Sequence, residues 1–403
     1  MSCPDEVAPS LSSTVMSLEW VKEKLGIPDA LGVKVSAFGD HSGMFASLFR
    51  LKIVKKGDGA PCVFVCKTIV DKGQLQISAR LGLSREGLFG SETAFQRNDT
   101  IRACAPVYLY ARGNMESGEK LVIMEDLSEG IETGKWFGGS SYHNMKRSIE
   151  DVPSDVGLLE IVRKSVCVLA GIHAEFVCQR HLLLSFEWLN AVDWVCGKGR
   201  ERWERDQETC REHWRTARGR EELRDLWDDH LVACVEASLK KGEGEKGWEE
   251  FQRELGSLPW TLMHGDFHPG NVLFLRESGR DGRGGHVRIL DWEMVGVGSG
   301  PEEVGQYMIS HALPETRRGI EEEVLRAYLD EYNRKVEGKG ERLSMEFVRR
   351  EYVLGGSAKW VFFLCWMLRR LPLEPDCRFF HDQLKAFLRD HVEDPRMMVA
   401  PRV

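Results

Sequence analysis

The sequence predicts an α+β protein of two lobes, a small β-rich N-terminal lobe and a larger helical C-terminal lobe. Three observations carry this. Short stretches that alternate apolar and polar residues crowd the first third, at 33–36, 47–53, 62–67, 106–110 and 120–124, which is the pattern of strands. From residue 158 onward, apolar residues recur at spacings of three and four, the pattern of amphipathic helices. One strand pair, 272–275 with 287–290, interrupts the helical part. Strands first and helices after give an α+β plan. The expected division is a tail over 1–16, a first lobe over 17–125 and a second over 126–403.

The elements follow in order. The first two strands are joined by a turn of small residues, Phe38-Gly39-Asp40-His41-Ser42-Gly43-Met44. The third strand, Cys62-Val63-Phe64-Val65-Cys66-Lys67, ends on a lysine. Residues 86–98 read as one helix with Leu88, Glu92 and Phe95 on its turns. Residues 158–177 place Leu159, Val162, Val166, Leu169, Ile172 and Phe176 on one buried face. The charge-dense stretch 198–241 carries Trp203, Gln207, Cys210 and Trp214 on one stripe, so it reads as solvated helix packed through its tryptophans. Residues 242–247 read as a polar linker, and 277–285 as the flexible tip of the strand pair. Trp360, Phe362, Phe363 and Trp366 lie at helical spacing and read as a core face.

Composition narrows the function. Of 403 residues, 42% are hydrophobic and 29% charged, the balance of a globular chain with a packed core. Lys+Arg number 55 against 63 Asp+Glu, a net charge of −8. That weighs against a nucleic-acid or anionic-membrane binder, whose affinity comes from cationic contacts to phosphate. The longest strongly apolar run, 360–368, falls short of the roughly 20 residues a membrane span needs. The acidic first ten residues lack the apolar stretch of a signal peptide. Eleven cysteines with no CxxC pair read as reduced thiols, which points to the cytoplasm.

The chemistry concentrates in two segments. His264-Gly265-Asp266-Phe267-His268-Pro269-Gly270-Asn271 precedes an apolar strand, and Ile289-Leu290-Asp291-Trp292-Glu293 ends the next one. The hairpin is expected to bring Asn271 towards Asp291. An amide oxygen beside a carboxylate is a hard donor pair, suited to Mg²⁺ on a polyphosphate. Asp266, five residues before Asn271, can accept a proton from an alcohol. Phosphoryl transfer needs little beyond a metal, a positioned nucleophile and electrostatic support. His264, Asp266 and His268 also form a His-x-Asp-x-His run, but a metallohydrolase would need further ligand motifs, and none is visible.

The first of these segments resembles the catalytic loop of the aminoglycoside phosphotransferase and choline-kinase-like superfamily of small-molecule kinases, which shares the protein-kinase-like fold. The resemblance implies Asp266 as catalytic base, Asn271 and Asp291 as Mg²⁺ ligands, and His264 and His268 as loop-shaping residues. It extends upstream. Lys67 stands where the family keeps a lysine for the nucleotide phosphates, and Glu92 where it keeps the glutamate that holds this lysine, with Glu86 a weaker candidate. Glu125, Asp126 and Leu127 resemble the hinge whose backbone meets adenine. Ser42 and Gly43 stand for phosphate contact, although their turn lacks three glycines. His173 lies in a segment resembling the helix packed under the site, and reads as a core histidine. Trp292 replaces the Phe of protein kinases, and Glu303 stands where the family often has Asp.

The implied activity is transfer of the γ-phosphate of ATP, with Mg²⁺, to a hydroxyl of a small-molecule acceptor. No nucleic acid or membrane partner is expected, and the acceptor and the oligomeric state stay open. A catalytically silent kinase-fold nucleotide binder is the alternative. A protein kinase is a further one, opposed by Gly265 in place of Arg and by the missing activation segment.

Overall fold

The structure, a computed structural model, describes residues 16–37, 46–57, 60–69, 71–138, 152–276, 285–370 and 375–402. The chain forms two compact units. One comprises residues 1–130 together with 288–295, and the other 131–287 with 296–403. The segment 288–295, which carries Asp291, groups with the first unit.

In the first unit, α1 (Leu18–Lys24) leads into β1 (Ala30–Ala37), β2 (Ser47–Lys55) and β3 (Cys62–Thr68). The helices α2 (Lys72–Leu81), α3 (Arg85–Ser91), α4 (Thr93–Gln96) and α5 (Asp99–Cys104) precede β4 (Tyr108–Gly113) and β5 (Lys120–Glu125). The five strands form one antiparallel sheet in the order β1-β2-β3-β5-β4. Successive side chains of a strand point to opposite faces. Phe49, Leu51, Cys66 and Ile123 therefore share a buried face with Trp20 of α1 packed on it. Lys67 points to the other face, with Leu48 and Val122 opposite it on the neighbouring strands.

The single helix expected over 86–98 is broken. Glu92 is extended (φ −73°, ψ 117°) and separates α3 from α4. Packing explains the break. Helix α3 lies so close on β4 that a Cβ at Gly87 would stand 2.2 Å from the Arg112 carbonyl oxygen. The bend at Glu92 then lets Phe95 return onto Phe89, with ring centroids 4.8 Å apart.

In the second unit, β6 (Ile131–Glu132) pairs with β8 (Val272–Arg276), and β7 (Thr261–Met263) with β10 (Gly296–Gly298); β9 (Gly285–Ile289) leads into the segment 288–295. The helices before the loop are α6 (Leu158–Val177), α7 (Arg180–Leu183), α8 (Val192–Val195), α9 (Arg200–Arg218), α10 (Asp229–Lys241) and α11 (Gly244–Ser257). Those after it are α12 (Gly300–His311), α13 (Pro314–Val336), α14 (Met345–Arg350), α15 (Gly356–Arg370) and α16 (Pro375–His391). Helix α6 occupies the range its apolar spacing predicts, and α9 buries Trp203, Gln207, Cys210 and Trp214. The linker expected over 242–247 shrinks, because α11 starts at Gly244. Starting early carries Trp248 and Phe251 onto Trp203, at centroid distances of 5.5 and 5.3 Å. Trp360 is buried against Phe363 and Phe380, a core contact. Of the expected hairpin tip, 277–284 lies outside the described residues, and Gly285 opens β9. Among the described residues, no helix is long and apolar enough to cross a membrane. The cysteines described are free thiols, and burial pushes those of Cys66 and Cys104 up to about 12.

Candidate active site

The first unit holds a buried ionic cluster around Lys67. Its ammonium lies 2.6 Å from Asp291 Oδ1, 2.8 Å from Glu293 Oε1 and 2.9 Å from Glu86 Oε2. A second lysine, Lys120 at the start of β5, is fully buried and bridges Glu86 (3.2 Å) and Glu293. Three carboxylates thus share two ammonium groups. Burial alone would lower the Lys67 pKa, but Asp291, Glu293 and Glu86 overcome it and hold the amine protonated, well above its ordinary value. Burial would raise Glu86, and Lys67 with Lys120 reverses this and keeps it ionised.

The segment with Asp291 is shaped for this contact. Asp291 has a left-handed backbone (φ 65°, ψ 60°), a conformation found for non-glycine residues mostly where surrounding structure enforces it. Trp292 supplies the enforcement. Its ring stacks on Phe89 with centroids 4.4 Å apart, and its Nε1 donates to the Ile289 carbonyl at 2.9 Å. The Asp291 side chain stays 38% exposed while Lys67 is 7% exposed. Lys67 engages Oδ1, and Oδ2 faces no partner among the described residues.

The second unit holds the loop 264–271, which follows directly on β7. Gly265 adopts φ +86°, open to glycine without strain. Its N–H donates to Glu303 Oε1 at 2.7 Å, and the His264 N–H to Glu303 Oε2 at 3.1 Å. Glu303, on α12, is fully buried, and Oε2 also meets His173 Nε2 at 3.1 Å. His173 in turn lies 2.8 Å from the Tyr328 hydroxyl, a satisfied core histidine. Burial would raise the Glu303 pKa, and the His173 hydrogen bond lowers it.

Asp266 is held from several sides and remains 32% exposed. Gln306 Nε2 donates to Oδ1 at 2.9 Å, and Asn271 Nδ2 donates to the Asp266 carbonyl at 3.0 Å and to Oδ2 at 3.4 Å. His268 Nε2 is 3.6 Å from Oδ2. Burial alone would raise the carboxyl, but His268, then Lys359 and His264, hold it well below the usual carboxylate range. His268 also caps the next turn by accepting from Gly270 N–H at 3.1 Å. Because Asn271 turns its nitrogen towards Asp266, its amide oxygen is the atom left for a cation.

The expected residues are placed as follows. Lys67 and Asp291 meet within the first unit, and Asp266, Asn271, His264 and His268 share the loop of the second. Glu92 does not hold Lys67. Glu86 does, because the break at Glu92 ends the helix before that residue could face the lysine, while Glu86 lies one turn below the packed Phe89. Glu125 anchors β5 by accepting from Val107 N–H at 2.8 Å. Asp126 accepts from Arg50 Nε at 3.1 Å, and the Leu127 carbonyl accepts from Gly130 N–H at 2.9 Å. Ser42 and Gly43 lie outside the described residues. Lys120, Glu293, Gln306 and Lys359 escape sequence reasoning. Only Glu293 has a local signal, two residues past Asp291.

The fold is shared with known proteins. Residues 147–342 match the profile of the phosphotransferase enzyme family, APH, which falls in the superfamily that the loop motif resembles. No curated protein sequence gives a significant match. Among solved structures, an ethanolamine kinase from Plasmodium vivax is similar over 96% of this chain and 90% of its own, at 12% identity and a TM-score of 0.50. The GDP complex of aminoglycoside 2'-phosphotransferase-IIIa is similar over 95% and 99%, at 14% identity and a TM-score of 0.47. A choline kinase from Streptococcus pneumoniae is similar over 92% and 98%, at 12% identity and a TM-score of 0.45. At such identities the likeness is one of fold.

Proposed function

We propose that the protein is an ATP- and Mg²⁺-dependent phosphotransferase that moves the γ-phosphoryl group onto a hydroxyl of a small molecule. The observation that carries this reading is Asp266, a carboxylate held ionised, oriented by Gln306 and Asn271, yet open to a ligand. Asp266 accepts the proton of the acceptor hydroxyl as its oxygen bonds to the γ-phosphorus and ADP departs. Lys67, steadied by Glu86, neutralises phosphate charge. The donors suit Mg²⁺, since Asp291 offers a carboxylate oxygen and Asn271 an amide oxygen, both hard ligands. A bound Mg²⁺ supplies further charge neutralisation on the phosphate oxygens. The backbone at 125–127 serves the adenine.

The APH profile supports the reaction class. The ethanolamine kinase of shared fold recommends amino alcohols as the first acceptors to try. The test is an ADP-release screen with ATP, with and without Mg²⁺, over amino alcohols, aminoglycosides and sugars, with Asp266→Ala as control. Mg²⁺-dependent release that the control abolishes is expected. Absence of release with every acceptor, or equal release by the Asp266→Ala variant, would sink the proposal. A silent binder would still bind nucleotide in a thermal-shift titration and release no ADP.

A further inference from the structure

The peptide between Gly265 and Asp266 determines where the Asp266 side chain points. Its N–H, on Asp266, donates to His264 Nδ1 at 3.3 Å. Its carbonyl oxygen, on Gly265, accepts from the ammonium of Lys359. Lys359 belongs to α15, far along the chain, and is buried at 6% exposure. The preceding peptide is fixed by Glu303 through the Gly265 N–H. Gly265 is thus gripped at N–H and carbonyl by charged side chains from two different helices.

The loop itself contains no lysine or arginine, and three carboxylates, Asp266, Glu302 and Glu303, lie within electrostatic reach of Lys359. A buried ammonium among carboxylates would ordinarily pair with one of them. Here the competitors are engaged elsewhere. Glu303 spends its oxygens on two loop N–H groups and His173. Glu302 is taken by Arg402, whose Nη1 lies 2.6 Å from Glu302 Oε2 and 2.9 Å from Glu351 Oε2. The Arg402 N–H also donates to the carbonyl of Ala358, the residue before Lys359, at 3.4 Å. With both glutamates engaged, the ammonium is directed to the Gly265 carbonyl.

We propose that Lys359 is a positioning residue of the catalytic loop, which fixes the Gly265–Asp266 peptide through its carbonyl and so aims the Asp266 carboxylate. The inference rests on reading Asp266 as the base. A misplacement of about 1 Å at a reacting group can cost a hundredfold in rate, so a modest hinge in this peptide is enough to matter.

The test compares Lys359→Met and Lys359→Arg in the full chain by three measurements: ADP release, nucleotide affinity, and amide hydrogen exchange over 260–272. For Lys359→Met, kcat should fall about a hundredfold while nucleotide affinity stays within about twofold, the split expected when orientation and not binding is lost. Exchange should quicken in the loop and stay unchanged in α6. Lys359→Arg keeps the charge and a donor, and should recover at least about tenfold of the lost rate. A Met variant with wild-type turnover, or with unchanged loop exchange, overturns the proposal. If the wild type releases no ADP with any acceptor, the kinase reading fails by itself, and the exchange comparison still decides the role of Lys359. Should Lys359→Met not fold, Lys359→Gln takes its place with the same expected outcomes.

Discussion

Around Lys67, five ionisable side chains are in direct contact, two ammonium groups and three carboxylates. Around Asp266, the direct partners are the neutral amides of Gln306 and Asn271 and one histidine. The loop backbone is held there by Glu303 and Lys359, one step removed. The first centre is a dense ionic cluster whose members depend on one another, so removing one leaves buried charge without compensation. The second separates the Asp266 carboxylate from the charges that hold its loop. Damage at Lys67 should therefore appear in stability and nucleotide binding together, whereas damage at Asp266 should appear in turnover.

Four predictions test that contrast. The largest effect is expected at Asp266→Ala, with turnover lowered by about 10³-fold, in the range for loss of a general base, and nucleotide affinity retained. A loss of nucleotide binding in that variant would erase the distinction. Next, Lys120→Met should lower unfolding stability in urea by about 3–5 kcal/mol, the cost of leaving buried carboxylates unpaired. A change under about 0.5 kcal/mol, typical of an inert surface position, would show that the cluster is not interdependent.

Third, Glu86→Gln should weaken nucleotide binding by about tenfold, a 1.4 kcal/mol effect, while Glu92→Gln leaves it unchanged. Calorimetric titration with an ATP analogue reads both, and the reverse ranking would restore Glu92 to Lys67. The smallest effect concerns pH. Glu86, Asp266 and Glu303 have depressed pKa values in the fold. Their stabilisation is fully present above the ordinary carboxylate value of about 4 and is lost as pH falls through the depressed values. Urea midpoints should therefore decline steadily below about pH 4, and Asp266→Asn should flatten part of that slope. An identical slope in the variant would mean that Asp266 is not held ionised by its surroundings.

The α+β order, helix α6 and the tryptophan stripe of α9 are legible because each depends on a local period. Asp266, Asn271 and Asp291 stand out for the same reason: loop and strand end are short, continuous patterns. Glu86 and Glu92 show the limit. Both are glutamates near the same helix, and a helical period alone favours neither. What separates them is the close approach of Gly87 to β4 and the turn of Phe95 onto Phe89, contacts set by the sheet. The shortened linker at 242–247 has a similar origin, since the pull of Trp203 on Trp248 lies across two helices.

The classes of element and the placement of the loop residues could be read from the sequence, because these are written in residues close together along the chain. The tertiary structure alone decided which charges meet. Lys120 reaches Glu293, Lys359 reaches Gly265 and Arg402 withdraws Glu302 across separations of about a hundred residues or more. The energy of a buried charge depends on what surrounds it in space, and no spacing along the chain encodes that.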